Sequence, residues 1–248
     1  MNQRDYGWRG PALLVFGLLA GWQVLYWIIG DIALRSPLQT FKFTAYLVTT
    51  PTFWPNLQAS LIAFSVALLI AVVSGLTIGF VLGFKRMAGE VFEPMLVAIY
   101  SIPKVTLYPI LLLVFGLGIS AKIAFGAIHG FIPIALFTLT AVRNVRPIYV
   151  KTGQVLKLDT PTMVWKILFP AALPEIFSGL RIGFSLTLIG TILAEMFASQ
   201  RGLGYMLMNA IGLHNIDVIM SVTLLLTIFA TAVGGVLLMI DKKLHKRA

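Results

Sequence analysis

Few side chains in this sequence could do chemistry, and several of those lie within or beside apolar stretches. There are no cysteines, which excludes disulfides, thiolate metal sites and a cysteine nucleophile. The 3 histidines, His129, His214 and His245, are widely separated and lack H-E-x-x-H spacing. Paired carboxylates and a nucleophile elbow are also missing. We therefore predict no catalytic residues, no metal site and no cofactor, and an enzyme is the least favoured class of function.

Nucleotide binding is also not expected of this chain. The sequence contains no G-x-x-x-x-G-K-[ST] phosphate loop, because no glycine is followed by lysine. If ATP drives a process that involves this protein, a separate polypeptide must bind and hydrolyse it.

Three ionisable residues in apolar segments are candidates for a solute pathway. A charge at mid-bilayer costs about 2.5 to 3.5 kcal/mol on insertion scales, so such groups usually face protein or water. Lys104, next to Pro103, could attract an anion, or it could extend to the membrane interface or pair with a carboxylate. For Glu195 we favour a structural salt bridge or a gate contact over proton coupling. For His129, on an apolar helix, we favour a neutral, hydrogen-bonded imidazole.

The elements that hold these residues must be membrane-spanning helices. Of the 248 residues 58% are hydrophobic and 11% are charged, with a mean hydropathy of +0.93, whereas soluble domains are about half apolar and a quarter charged. Lipid cannot hydrogen-bond the backbone, so long apolar runs must form helices. We predict an all-α integral membrane fold in a single domain over residues 1–248. The six predicted spans are about 11–30, 57–84, 94–116, 121–142, 175–198 and 216–240.

The basic residues predict the orientation of these spans. Lys and Arg concentrate in cytoplasmic loops, and one side of the predicted topology holds most of them. That side holds Arg4, Arg9, Lys85, Arg86, Arg143, Arg146, Lys151, Lys157, Lys166, Lys242, Lys243, Lys246 and Arg247, and the other holds Arg35, Lys42, Lys122 and Arg201. Both termini are therefore predicted to be cytoplasmic. This asymmetry also accounts for the net charge of +10 without nucleic-acid binding.

Glycines and prolines mark special positions in the spans. Glycines four residues apart put bare backbone on one helix face and predict close packing, inside a bundle or across a dimer. These glycines are Gly75, Gly79 and Gly83, with Gly17 and Gly21, and Gly126 and Gly130. Pro103 and Pro109 are predicted to kink or break the third span, and Pro133 to interrupt the fourth. The solute pathway is expected at these breaks, with kinks used only for packing as the alternative.

The segment 143–174 is the one sizeable element predicted outside the membrane. Pro147 can open a short helix through Leu156, and Pro161 a second one to Phe169, with a turn at Lys157-Leu158-Asp159. Pro170 and Pro174 are predicted to interrupt the chain after that. The segment is too apolar for a solvated linker, so it must bury side chains against the bilayer interface or another protein.

This segment resembles the cytoplasmic loop of binding-protein-dependent ABC importer permeases. Their pattern is E-A-A, three residues, Gly, nine residues, Ile, one residue and Leu-Pro. With Pro170 on the last proline, Ile167 takes the isoleucine, Lys157 the glycine, and Lys151, Thr152 and Gly153 the E-A-A positions. The acidic residue and the glycine are thus replaced. Other stretches resemble the nitrate, sulfonate and taurine branch of these permeases: Ser101-Ile102-Pro103-Lys104, Tyr108-Pro109-Ile110, Phe115-Gly116-Leu117-Gly118, Ala171-Ala172-Leu173-Pro174, Gly179-Leu180-Arg181, Ala194-Glu195-Met196 and Gly202-Leu203-Gly204-Tyr205.

The resemblance implies a type I ABC importer permease in the bacterial inner membrane. Its expected partners are a separate ATPase, a second permease copy in a homodimer or heterodimer (the homodimer favoured), a periplasmic or extracellular solute-binding protein, and membrane lipid. Its solute would be a small organic or inorganic anion such as a sulfonate, taurine or nitrate. The residues expected to couple to the ATPase are Lys151, Thr152, Gly153, Leu156, Lys157, Leu158 and Asp159. Those expected along the translocation pathway are Ser101, Pro103, Lys104, Tyr108, His129 and Glu195.

A self-sufficient secondary transporter or channel is the alternative function. It would use Glu195, Lys104 and His129 for coupling. The small size, the absence of evident inverted repeats and the apolar cytoplasmic segment count against it.

Overall fold

The chain folds into helices throughout the part that the computed structural model describes, residues 9–197 and 199–245. The helices are α1 (Arg9–Ile29), α2 (Pro37–Thr49), α3 (Phe53–Phe84), α4 (Arg86–Ser101), α5 (Tyr108–Phe115), α6 (Ile119–Arg143), α7 (Pro147–Val155), α8 (Thr160–Met163), α9 (Phe169–Phe197), α10 (Leu203–Gly212) and α11 (Ile216–His245). A 3-10 turn at Lys104–Leu107 precedes α5, and a π-helical turn at Val164–Leu168 joins α8 to α9. Arg4, Lys246 and Arg247, which the orientation prediction uses, lie outside the described residues, as do the two ends of the predicted domain.

Among the described residues, 5 helices are long and apolar enough to cross a membrane. They are Ala12–Ile29, Phe53–Phe84, Ile119–Arg143, Pro161–Phe197 and Ile216–His245. The bent pair α4 and α5 passes the same test only when taken together, and it makes a sixth span if its two parts cross the membrane as one. This agrees with the predicted all-α membrane fold. Two shorter helices, α2 and α10, were not predicted.

The third span, predicted over 94–116 with a kink or break at its prolines, is broken into two parts. Its two parts, Arg86–Ser101 and Lys104–Phe115, meet at an angle of 87°. Pro103 causes the break, because a proline pushes the residue before it out of the helical region, and Ile102 is extended with ψ of 132°. The predicted break at Pro109 was wrong, because this proline lies in the first turn of α5, where its missing N–H costs nothing.

Pro133, Pro170 and Pro174 do not interrupt their helices, so the three predictions for these prolines were wrong. Helix α6 continues through Pro133, which is buried among the neighbouring helices. The predicted segment 143–174 is shorter than expected, because the fifth span begins helically at Thr160 and runs past Pro170 and Pro174. The π turn before Pro170, where Phe169 N–H donates to Val164 O, widens the helix and relieves the clash of the proline ring with a preceding carbonyl.

Helices α3, α6 and α9 form a three-helix core in which small residues set the spacing. A Cβ added to Gly79 would lie 2.5 Å from Thr138 Cβ and 2.7 Å from Ala135 O, both on α6. On the other side of α6, a Cβ on Gly126 would meet Thr191 Oγ1 on α9 at 2.5 Å. The predicted close packing is confirmed here, inside one chain.

The glycine contacts also give the helix directions. Gly75 and Gly83 of α3 face Ile134 and Val142 of α6, so α3 and α6 run the same way. Helix α9 runs against them, because Gly126 faces Thr191 whereas Ile134 faces Gly183. The chain after α6 and the chain after α9 therefore lie at opposite ends of the core. We call residues 144–159, after α6, the connector, and residues 202–204, after α9, the G-L-G turn.

Candidate functional site

The connector contains the predicted helix and turn. After α7 the chain reverses at Lys157, whose φ is 50°. The N–H of Lys157 donates to Gln154 O at 3.0 Å, and the N–H of Leu158 donates to Gly153 O at 3.0 Å. A left-handed residue at the end of a helix is usually glycine. Lys157 is the residue that aligns with the glycine of the loop pattern, so this chain keeps the turn geometry without the glycine.

Gly153 holds α7 against the start of the fifth span. It is buried, and a Cβ there would contact the Met163 sulfur and come within 2.9 Å of Ile167 Cδ1. Gly153 aligns with the second alanine of the E-A-A pattern. The packing explains why this position requires a small residue.

Asp159 starts the helix that follows the turn. A hydrogen bond from Thr162 to the Asp159 carboxylate lowers the pKa of this exposed group, and Met163 N–H donates to the Asp159 carbonyl at 2.9 Å. This is the behaviour of an N-cap residue. Because the pKa is lowered in the folded chain, the cap contributes above the unfolded pKa and is lost as pH falls through the folded pKa.

The connector and the helix after it expose apolar side chains. Val155 is 81% exposed, Leu156 63% and Trp165 69%. Lys151 and Thr152 are also exposed, and the Thr152 hydroxyl donates to Ile148 O at 2.8 Å. No other part of residues 9–197 and 199–245 covers these side chains.

The six predicted pathway residues divide into two groups. Ser101, Pro103 and Lys104 lie at the break between α4 and α5, on the surface of the chain. Lys104 Nζ donates to Tyr100 O at 3.0 Å and lies 4.5 Å from the centre of the Tyr100 ring. The Lys104 ammonium also lies close enough to His129 to interact with it electrostatically, so the break and the buried histidine are neighbours.

Tyr108, His129 and Glu195 form the second, buried group, in which Phe125 connects the tyrosine and the histidine. The Tyr108 hydroxyl donates to Ala194 O at 2.7 Å, and its ring packs on Phe125 with 4.9 Å between centroids. Phe125 in turn packs on His129 at 4.4 Å. His129 Nδ1 lies 2.8 Å from Phe125 O, so the imidazole has the hydrogen bond predicted for it.

Glu195 is completely buried and anchors the G-L-G turn. Its Oε2 accepts a hydrogen bond from Ser60 Oγ at 2.7 Å and from Gly204 N–H at 3.0 Å. Ser60 Oγ also accepts from Leu203 N–H at 2.7 Å. Within the described residues these are hydrogen bonds and not the favoured salt bridge. The carboxylate binds the backbone N–H of Gly204 directly and that of Leu203 through Ser60, which makes Glu195 a structural anchor for the start of α10.

Two glycines allow the chain to wrap around this carboxylate. Gly202 has φ of 129°, and a Cβ there would collide with the Glu195 carboxyl group. A Cβ on Gly204 would lie 2.7 Å from Glu195 Cβ. The N–H of Gly202 donates to Asn56 Oδ1 at 2.9 Å. Asn56 and Ser60 were not predicted, although their spacing of four places both on one face of α3.

The buried group and the connector therefore lie apart. Tyr108 and His129 both contact α9, at Ala194 O and at Gly190, where a Cβ would come within 2.8 Å of His129 Cγ, and Glu195 follows Ala194 on the same helix. The G-L-G turn that Glu195 anchors and the connector are at opposite ends of the core. A signal between them would have to travel along the packed helices.

Comparison with known proteins supplies a family. The family described as binding-protein-dependent transport system inner membrane component matches residues 71–248. The taurine transport system permease protein TauC of Escherichia coli is 28% identical over 245 residues, covering 93% of this chain and 89% of TauC. The nitrate import permease protein NrtB of Synechocystis is 30% identical over 210 residues, covering 81% of this chain and 76% of NrtB.

Two solved structures share the fold. An inward-facing form of the methionine ABC transporter MetNI matches with a TM-score of 0.66 at 18% identity, over 79% of this chain and 99% of the solved chain. An amino acid ABC transporter matches with a TM-score of 0.55 at 17% identity, over 83% and 98%.

Proposed function

Because this chain belongs to the family of binding-protein-dependent transport system inner membrane components, we propose that it forms the pathway by which a small anion enters the cell. The chain is an ABC importer permease of the nitrate, sulfonate and taurine branch and a multi-pass protein of the bacterial inner membrane. A sulfonate, taurine or nitrate is the proposed solute, in keeping with the names of its relatives.

The exposed apolar side chains of the connector and of the π-helical turn that follows it are the observation that carries this proposal. Exposed apolar side chains such as Val155, Leu156 and Trp165 indicate a surface that another protein buries. The proposed cover is a separate ATPase on the cytoplasmic side, where both termini would also lie. Closure of two ATPases on ATP would push the connectors together and turn the helices as rigid bodies. The contacts expected to transmit this motion are those of Lys151, Thr152, Gly153, Leu156, Lys157, Leu158 and Asp159.

A second copy of the chain completes the proposed pathway. Ser101, Pro103 and Lys104 lie on the surface of one chain, so they can line a closed path only when another subunit faces them. A homodimer supplies that subunit with the same surface. A solute-binding protein would deliver the anion on the side opposite the ATPase. There the buried group of Tyr108, His129 and Glu195 would hold in place the helices around the outer part of the path.

Co-purification tests the coupling. The permease would be expressed in its native host and purified in mild detergent, and the amount of ATPase retained would be measured. Replacing Lys157, Leu158 and Asp159 by glycines should abolish retention. Replacing Leu213, His214 and Asn215 by glycines is the matched control, because that turn also contains a left-handed residue, His214 with φ of 54°, and should leave retention unchanged.

Two results would overturn the proposal. One is equal retention of the ATPase by the two glycine variants. The other is anion transport by the purified chain alone in liposomes without ATP, which would favour the secondary transporter or channel.

A further inference from the structure

A cavity whose lining includes two basic residues lies beside the G-L-G turn. It has a volume of about 560 Å³. Its lining consists of Ala59, Leu117, Gly118, Ile119, Lys122, Ser199, Gln200 and Arg201. Two of these side chains are cationic and none is acidic, so the walls favour a negative occupant.

Lys122 is the unusual member of this lining. It is only 6% exposed, and its Nζ donates to Arg201 O at 2.6 Å. That bond uses one of the three donors of the ammonium group and fixes the charge at the cavity wall. The nearby carboxylate that interacts electrostatically with Lys122 is Glu195. Its Oε2 accepts hydrogen bonds from Ser60 and Gly204, and its Oε1 is buried without a hydrogen-bond partner among the described residues. A buried ammonium with remaining donors is well placed to bind an anion.

The start of α6 adds to the positive potential. This helix of 25 residues begins after Gly118 without a side-chain cap and without an acidic residue in its first turn. Its first N–H groups and the helix dipole therefore favour an anion at this position. Gly118 has no atom within 4 Å of the position that a Cβ would take, so the approach to the helix end is open.

Arg201 gives the cavity a second, exposed cation. Among the described residues its guanidinium forms no ion pair. Its backbone is held in place by the bond from Lys122 and by Ser199, whose Oγ accepts from Arg201 N–H at 3.1 Å. The side chain can thus approach a ligand that Lys122 holds from inside.

We infer that this cavity binds a small oxyanion of the sulfonate, sulfate or phosphate class between Lys122, Arg201 and the first turn of α6. The inference rests on the proposed function where it takes the occupant to be the transported solute. The same chemistry is offered by the phosphate of an anionic lipid headgroup. Binding at this point would place the anion directly beside the G-L-G turn that Glu195 anchors.

Calorimetric titration tests the site. The full-length chain in nanodiscs of phosphatidylcholine alone would be titrated with methanesulfonate, with methylammonium as the cationic control. Saturable binding of methanesulfonate only is expected. Arg201→Gln and Lys122→Gln should each weaken it by about tenfold or more, because each removes a charge-assisted contact. Lys42→Gln, which removes an exposed lysine of α2, should leave it unchanged.

A second titration, in discs that contain phosphatidylglycerol, identifies the source of the anion. Competition between this lipid and methanesulfonate would assign the site to a headgroup, and an unchanged affinity would assign it to the solute. Since Lys122 is buried, Arg201→Gln decides the test if Lys122→Gln fails to fold. Absence of saturable binding, or equal weakening by Lys42→Gln, would overturn the inference. Loss of ATPase coupling with methanesulfonate binding intact would instead refute only the proposed function.

Discussion

Helix α1 and the three-helix core contain the same glycine spacing and use it differently. Gly75, Gly79 and Gly83 on α3 would each clash with α6 if they carried a Cβ, whereas Gly17 and Gly21 on α1 have no atom within 4 Å of that position. The spacing creates a helix face that a neighbour can approach closely. It does not determine whether that neighbour belongs to the same chain.

Helix α1 and the three-helix core also differ in how much of their surface is buried against the rest of the chain. Residues of α6 such as Ile134 and Leu139 are completely buried, while Trp27 of α1 is 72% exposed. A groove of about 780 Å³ separates α1 from α11. Polar contacts fix the end of α1, where Trp22 Nε1 donates to Arg35 O at 2.9 Å and Arg35 pairs with Asp217 at 2.7 Å. The pair raises the pKa of the Arg35 guanidinium.

The largest effect is expected from Gly79→Leu. The new side chain would run into Thr138 and the carbonyl of Ala135, and overpacking of this kind costs about 1 to 3 kcal/mol or more. The helices must separate to admit it. The measurement is the midpoint of thermal unfolding in detergent, followed by size-exclusion chromatography. An unchanged midpoint would show that the core packing is looser than the contacts imply.

Glu195→Leu should rank second. It leaves Gly204 N–H without its acceptor at a fully buried position, which costs about 1 to 3 kcal/mol. Glu195→Gln keeps a carbonyl oxygen for this bond and is the matched control, with a smaller loss. Hydrogen exchange of α10 should report the difference, because the G-L-G turn starts that helix. Equal protection of α10 in the two variants would contradict the anchoring role.

The Glu93–Arg143 pair should contribute less. It joins α4 to the end of α6 at 2.7 Å, with each side chain 30% exposed. Partly exposed pairs of this kind are worth about 0.2 to 1 kcal/mol and weaken with salt. Arg143→Glu should therefore lower the unfolding midpoint slightly, and the charge swap with Glu93→Arg should restore it. A swap that fails to restore the midpoint would show that packing, not charge, attaches α4 to the core.

The apolar runs predicted the spans, because membrane insertion depends on composition over about 20 residues. The turn at Lys157 was likewise predicted from local signals. Helix α2 was not predicted, although its sequence contains a local signal for a helix start. Ser36 and Gln39 form a capping box with Pro37 between them. The anchoring of Glu195 by Ser60 was not predictable, because the two residues are 135 positions apart. The angle at the α4–α5 break depends on similar long-range packing, so Pro103 predicted a break but not its angle.

The smallest effect on the isolated chain is expected from Gly21→Leu. The side chain would project into the open groove beside α11, where no atom lies within 4 Å of the new Cβ. The free energy of unfolding should therefore change by no more than it does for a surface substitution, about 0.5 kcal/mol, and the unfolding midpoint should hardly move. The same measurement on the assembled permease pair separates two explanations of the groove. A midpoint lowered only in the assembly would show that a second copy covers this face of α1, while no change in either state would leave the face to lipid. Destabilisation of the isolated chain as large as that from Gly79→Leu would contradict the contrast between α1 and the core.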